Sequence, residues 1–322
     1  MSATGTFKAE NYRYEYSVYG VTLLTNLRLS LPKASGSDVV VAIDVVAPDE
    51  LPVASEMVVT DPDDWIQLAI REDESLRMRW GSWFEILVPP GGRRVLCSNL
   101  SALPLGSLEA YLTNFAVAAA LIQQGEEPLH STVVEINGQA IGLLGPSGAG
   151  KSTLAAVLIN KGGILVTDDM LRITFSADVA FAQPGPYRIK LLREPADRFL
   201  PARVNRGYWN PLGEKLVFEP DAPGNGNVPR RISALYRLDD ASESLEPERP
   251  SLAALSGAEL FKTILSSSIN TRLQSPRRLE RQFLFCQRLA RTLPVFKLSY
   301  ARSFDTIEDV AGCILDHMAL RN

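Results

Sequence analysis

Residues 139–154 read Gln-Ala-Ile-Gly-Leu-Leu-Gly-Pro-Ser-Gly-Ala-Gly-Lys-Ser-Thr-Leu, and this stretch constrains the fold more than any other. It contains Gly145-x-x-x-x-Gly150-Lys151-Ser152, the pattern of a phosphate-binding loop. At average residue usage a random chain of this length matches it about once in a hundred. The flanks agree with the motif. Ile141, Leu143 and Leu144 predict a buried strand entering the loop, and Thr153 to Ile159 predict a helix leaving it. Strand, glycine-rich loop and helix together aim several backbone N–H groups and a helix N-terminus at one anion.

Each residue type in the loop has a chemical reason. Gly145, Gly148 and Gly150 permit left-handed backbone and close approach to phosphate. Lys151 is placed to reach β- and γ-phosphates as a point charge. Ser152 offers a hydroxyl oxygen to Mg²⁺, which takes hard ligands. Ser147, Ala149 and Thr153 complete the nucleotide-binding positions. The pattern predicts binding of a nucleoside triphosphate such as ATP and leaves the fate of its γ-phosphate open. The alternative, a glycine-rich turn capped by serine, is weaker on the chance-match argument.

The rest of the composition sets bounds. The chain has 322 residues, enough for two domains, with 46% apolar and 22% charged residues. A net charge of −4 argues against nucleic acid as a bulk partner. Cys97, Cys286 and Cys313 are scattered, which suits a reducing compartment and suggests no disulfide or metal framework. No apolar run is read as a membrane span and no leader opens the chain, so a cytoplasmic protein with no membrane partner is expected.

Periodicity divides the chain into a mainly β N-terminal domain, residues 1–105, and a nucleotide-binding domain, residues 106–322. Strands are predicted within 10–32, at 39–43, and in a hairpin of 76–80 and 83–88 turning at Gly81-Ser82. Another strand begins at Arg93, and 46–63 is read as loop. Leu108, Tyr111, Leu112, Phe115, Ala116, Ala119 and Ala120 keep helical spacing, with Gly125 as the stop. Residues 129–136 and 140–144 are predicted to pair through Asn137-Gly138, a favoured hairpin turn. A short buried strand, 164–167, runs into Asp168-Asp169. Loops at 219–229 and 239–250, a strand at 232–238, helices at 256–268 and 276–292, a strand at 295–300 and a closing helix at 305–319 complete the reading. Leu255-Ser-Gly-Ala-Glu259 superficially matches a transport-ATPase signature, but no apolar strand ending in Asp-Glu follows, so it is read as a helix start.

The acid pair and one histidine extend the site. Asp168 lies at an apolar strand end, where phosphate-loop enzymes place a carboxylate that contacts Mg²⁺. Strand alternation would send Asp168 and Asp169 to opposite faces. If both converge instead, burial and repulsion raise one pKa and prepare a general base. The competing reading is a solvated Asp-Asp turn. The hairpin would bring His130 alongside the strand feeding the loop, although a lone histidine is more often structural. Arg188, Lys190 and Arg193 form a basic stretch suited to steering ATP or an acidic substrate, or to a solvated face.

Leu129-His130, Gly145-Pro-Ser-Gly-Ala-Gly-Lys-Ser152 and Leu165-Val-Thr-Asp-Asp169 together resemble the catalytic half of the HPr kinase/phosphorylase family. The resemblance covers about residues 125–240. It implies an α/β phosphate-loop kinase domain of the phosphoenolpyruvate carboxykinase-like type, using ATP and Mg²⁺ to phosphorylate a serine hydroxyl. It implies His130, Lys151, Asp168 and Asp169 as catalytic residues and Ser152 and Glu194 as metal ligands, with either aspartate as the base. The family's Arg-Gly-Leu-Gly after its second metal-binding carboxylate is replaced here by Pro195-Ala-Asp-Arg198, so the resemblance does not carry over the phosphorylase reaction or HPr as the acceptor, and the reverse reaction is left open. The β-rich N-terminal region is similar to that of kinases that modify lasso-peptide precursors, which implies a peptide or small protein as acceptor. The contrasting class is a nucleotide-responsive binding module without phosphoryl transfer. Oligomeric state is left open, a homo-oligomer included.

Overall fold

The computed structural model describes residues 11–34, 36–51, 66–101, 105–210, 214–218, 227–239 and 249–321. Contacts divide the chain into two units, Met1–Glu126 and Glu127–Asn322. The division therefore falls after the long apolar helix rather than near residue 105. That helix packs with the first sheet, so it belongs to the N-terminal unit. Most of the expected loops at 46–63, 219–229 and 239–250 lies outside the described residues.

The N-terminal unit is built on a seven-stranded mixed sheet. Its strands are β1 (Tyr14–Val18), β2 (Val21–Thr25), β3 (Val40–Val45), β4 (Ile66–Ile70), β5 (Leu76–Trp80), β6 (Phe84–Val88) and β7 (Arg94–Asn99), in the spatial order β1-β2-β3-β7-β6-β5-β4. The hairpin of β5 and β6 forms as expected, with Trp80 paired to Phe84 across a three-residue turn. Their rings stack at 4.4 Å, a contact worth about 0.5–1.5 kcal/mol beyond burial. Helices α1 (Leu105–Tyr111) and α2 (Val117–Gln123) are joined through a π-turn at Leu112–Ala116. Tyr111 and Phe115 bring their rings onto Trp80. The buried polar groups of this helix are satisfied: Tyr19 donates to Asn114 Oδ1 at 2.8 Å, and Glu109 accepts from the Ser30 N–H at 3.0 Å. Contrary to the sequence expectation, Leu105–Gln123 is long and apolar enough to cross a membrane. It is 78% buried, the condition of a core helix.

The second unit has an eight-stranded mixed sheet. Its elements in chain order begin with β8 (Ser131–Ile136), β9 (Gln139–Leu144), α3 (Lys151–Asn160), β10 (Ile164–Thr167), β11 (Ile173–Ser176) and β12 (Val179–Ala182). There follow β13 (Ile189–Leu191), α4 (Arg193–Phe199), α5 (Pro201–Val204), β14 (Tyr208–Asn210), β15 (Lys215–Phe218) and β16 (Arg230–Leu238). The chain closes with β17 (Ser251–Ala254), α6 (Gly257–Ser266), α7 (Pro276–Thr292), β18 (Val295–Ser299) and α8 (Ile307–Ala319). The main path is β10-β8-β9-β16-β12-β11, with β18 also paired to β16 and to β17. A separate sheet of β13, β15 and β14 lies off this path.

Three details position the site. Asn137 and Gly138 both take positive φ, 51° and 75°, the geometry of a type I′ turn, and this locks β8 against β9. Strand β9 runs parallel to β16, with Leu144 beside Arg237. The loop after β9 therefore lies at the carboxyl end of parallel strands, where α/β sheets hold ligands. Strand β10 is antiparallel to β8, and β8 to β9. Two reversals make β10 run as β9 does, so Asp168 emerges beside that loop.

Candidate functional site

The glycine-rich loop joins β9 to α3. Gly145, Gly148 and Gly150 all have positive φ, at 146°, 80° and 92°. Gly150 is the residue from which α3 starts, in left-handed conformation, and a side chain there would be strained. Helix α3 is buried through Leu154, Ala155, Ala156, Val157, Leu158 and Ile159, which fixes the direction of its N-terminus. Lys151 is only 6% exposed. Its ammonium donates to the carbonyls of Gly145 and Pro146, each at 2.8 Å. Burial lowers its pKa to about 8, against the opposing pull of Asp169 and Asp168.

The acid pair converges on this loop. Asp168 is 4% exposed. Its Oδ1 accepts from Thr132 Oγ1 at 2.7 Å and from Ser152 Oγ at 3.0 Å, and its Oδ2 accepts from the Lys190 N–H at 3.0 Å. Asp169 does not go to the far side as strand alternation predicts. It takes φ 70°, a left-handed turn that Asp tolerates better than most residues. Its carboxylate pairs with Lys190 Nζ at 2.7 Å. The two acids are pulled apart electrostatically. Burial and the neighbouring Asp169 raise the Asp168 pKa. Burial also acts to raise Asp169, but the charge and hydrogen bond of Lys190 outweigh it and hold that carboxyl below its usual range.

His130 joins through the main chain. Its Nδ1 donates to the Asp169 carbonyl at 2.9 Å, which leaves Nε2 as the unprotonated nitrogen of a neutral ring. Burial, then the nearby Lys151 charge, lowers its pKa, so the ring is neutral at pH 7. Its backbone N–H is anchored on the Ser267 carbonyl at 2.6 Å.

The structure thus brings His130, Lys151, Ser152, Asp168 and Asp169 together. Glu194, on the first turn of α4, is exposed and lines a cavity with Gly148 and Thr153 of the loop region. Among the described residues no group of three or more His, Cys, Asp or Glu could hold a metal ion. A Mg²⁺ ion would therefore be held by few protein oxygens, as is usual when substrate phosphates supply the rest. Ser152 Oγ and Asp168 Oδ1, 3.0 Å apart, fit that role, because adjacent ligands of an octahedral Mg²⁺ lie about 3 Å apart.

Sequence reasoning missed Thr132, and it read Lys190 only as part of a basic stretch. Lys215, on β15, adds positive charge that lowers both Lys151 and Asp169. Asp239, at the end of β16, is buried with Ser299 Oγ at 3.2 Å and Lys297 Nζ at 3.4 Å on one oxygen. Within the basic stretch, Arg193 pairs with Asp197 at 2.7 Å on the exposed face of α4.

No family model and no curated protein sequence matches the chain. Among solved structures, the chain is similar to the HPr(Ser) kinase/phosphatase from Coxiella burnetii. That likeness spans 60% of this chain and 97% of the other at 12% identity and a TM-score of 0.33, which is a distant structural relationship.

Proposed function

We propose that the chain is an ATP-dependent kinase whose second unit transfers the γ-phosphate to a serine hydroxyl of a peptide or small protein, a lasso-peptide precursor being the specific case. The reading treats residues 145–153 as a phosphate loop in a domain of the phosphoenolpyruvate carboxykinase-like type. One observation carries it: the loop hydroxyl of Ser152 and the strand-end carboxylate of Asp168 meet at 3.0 Å, with the Lys151 ammonium on the same loop. A solvated Asp-Asp turn would have neither contact.

Roles follow from the partners of each group. Lys151 exchanges its two carbonyl acceptors for the β- and γ-phosphate oxygens. Ser152 and Asp168 would hold Mg²⁺, which would supply neutralisation of the charge on the transferred group. Asp168 takes the proton through Oδ2, the oxygen that does not meet Ser152, while Lys190 keeps Asp169 anionic and oriented. The serine O–H proton passes to Asp168, the serine oxygen bonds to the γ-phosphorus, and the bond from that phosphorus to the bridging oxygen breaks to release ADP. His130, neutral, fixes the Asp169 main chain.

The test is transfer from γ-labelled ATP to serine-containing peptides encoded beside the gene. Asp168→Asn should reduce transfer by at least ~100-fold, and Asp169→Asn by less. Undiminished transfer in the double variant would refute the assignment.

A further inference from the structure

We propose that the cavity on the outer side of the glycine-rich loop is a ribonucleoside subsite, with Glu194 as the acceptor for the ribose hydroxyls. This rests on the nucleotide reading above and adds the part of the ligand that the loop does not explain. The cavity has a volume of about 660 Å³, within the ~300–1,000 Å³ range of small-molecule sites. It begins at Gly148 and Gly150 and at Thr153 on the first turn of α3. A triphosphate whose far end lies at Lys151 leaves a helix N-terminus past that first turn, so the chain of phosphates leads into this opening.

The walls have the character a nucleoside requires. Leu192, Pro195 and Phe304 supply an apolar face. Leu192 is 53% exposed, a large aliphatic side chain with an open side turned to the cavity. Phe304 is held edge-to-face on Phe199 at 5.9 Å, which orients its ring before any ligand arrives. Arg302, also lining the cavity, donates to the Gly148 carbonyl and so crosses the edge of the loop. Among the described residues Glu194 is the one carboxylate of the lining. A carboxylate only accepts hydrogen bonds, so its complement is a pair of donors, and the vicinal hydroxyls of ribose are such a pair, as in other nucleotide sites. In this assignment Glu194 serves the sugar rather than the metal.

Binding is measured by calorimetry with Mg²⁺ for ATP, 2′,3′-dideoxy-ATP and tripolyphosphate. Wild type should prefer ATP to dideoxy-ATP by at least fivefold and to tripolyphosphate by at least tenfold. Glu194→Ala should abolish the first preference, and Leu192→Ser should reduce the second, while tripolyphosphate affinity is unchanged in both. Both sites are exposed, and circular dichroism confirms folding. If wild type binds ATP and tripolyphosphate equally, or the variants keep both preferences, the subsite is overturned and the loop reading stands. If wild type binds none of the three, both fall.

Discussion

The two units differ in one use of charge: both close ion pairs, as at Arg77–Glu85 and Arg278–Glu127, but the second also buries two charges that no ion pair closes. In the N-terminal unit, charges on neighbouring strands close on one another: Arg77 meets Glu85 at 2.7 Å, and Arg94 meets Asp44 at 2.6 Å. In the second unit, Lys151 and Asp168 are buried at 6% and 4% exposure, yet among the described residues neither is joined in an ion pair. Lys151 rests on carbonyls and Asp168 on hydroxyls and an amide. Taking a charge out of water without an opposite partner is costly. A buried ammonium and a buried carboxylate without opposite-charge partners have their pKa values displaced, down for Lys151 and up for Asp168.

The contrast can be broken by mutation. The largest effect should come from a charge pair in the second unit that is closed. Arg278 and Glu127 are 3% and 1% exposed and 3.0 Å apart, and Arg278 also donates to the carbonyls of Ile269, Asn270 and Leu273. Arg278→Ala should destabilise by roughly 3–5 kcal/mol. Arg77→Ala, at a less buried pair, should destabilise by roughly 1–3 kcal/mol, with kcat unchanged. Urea denaturation measures both. Next in size, Lys151→Met should lower transfer at least ~100-fold while raising stability by about 0.5–2 kcal/mol, the usual trade between activity and stability. A loss of stability there, comparable to that of Arg77→Ala, would erase the distinction between the units.

The hairpin of β8 and β9, the loop and helix α3 were legible because each is a local signal: a two-residue Asn-Gly turn, fixed glycines, a continuous apolar run. The long helix was legible too, but not its allegiance, which depends on Trp80 and Phe84 far back in the chain. Two features of the site were hidden for different reasons. Asp169 faces the site only because its backbone turns left-handed, which reverses the alternation that the sequence pattern assumes. Lys190 sits on a three-residue strand whose partner, β15, starts at Lys215, and so short a strand has no period to detect. Glu194 was placed only by its position in the chain relative to a family pattern, and its seat on α4, in the lining of the cavity, had no signal in the sequence.

The smallest prediction concerns pH. Lys151 has its pKa lowered to about 8, and only its protonated form attracts phosphate. As pH rises through that value the free enzyme loses the cation, so kcat/KM should fall on the alkaline side near pH 8. On the acid side, activity should rise with pH as Asp168 ionises, above the ordinary carboxylate range because its pKa is raised. A flat profile from pH 7 to 9.5 would show that Lys151 is not the group that meets the substrate, and the contrast between the units would lose its main support.

Lys190 grips one aspartate with its main chain and the next with its ammonium. The small sheet of β13, β15 and β14 is thereby yoked to both acids by a single residue. If that sheet shifts, the two carboxylates are released or re-seated in one movement, so a half-set acid pair, with one member in register and the other adrift, is not a natural resting point for this molecule.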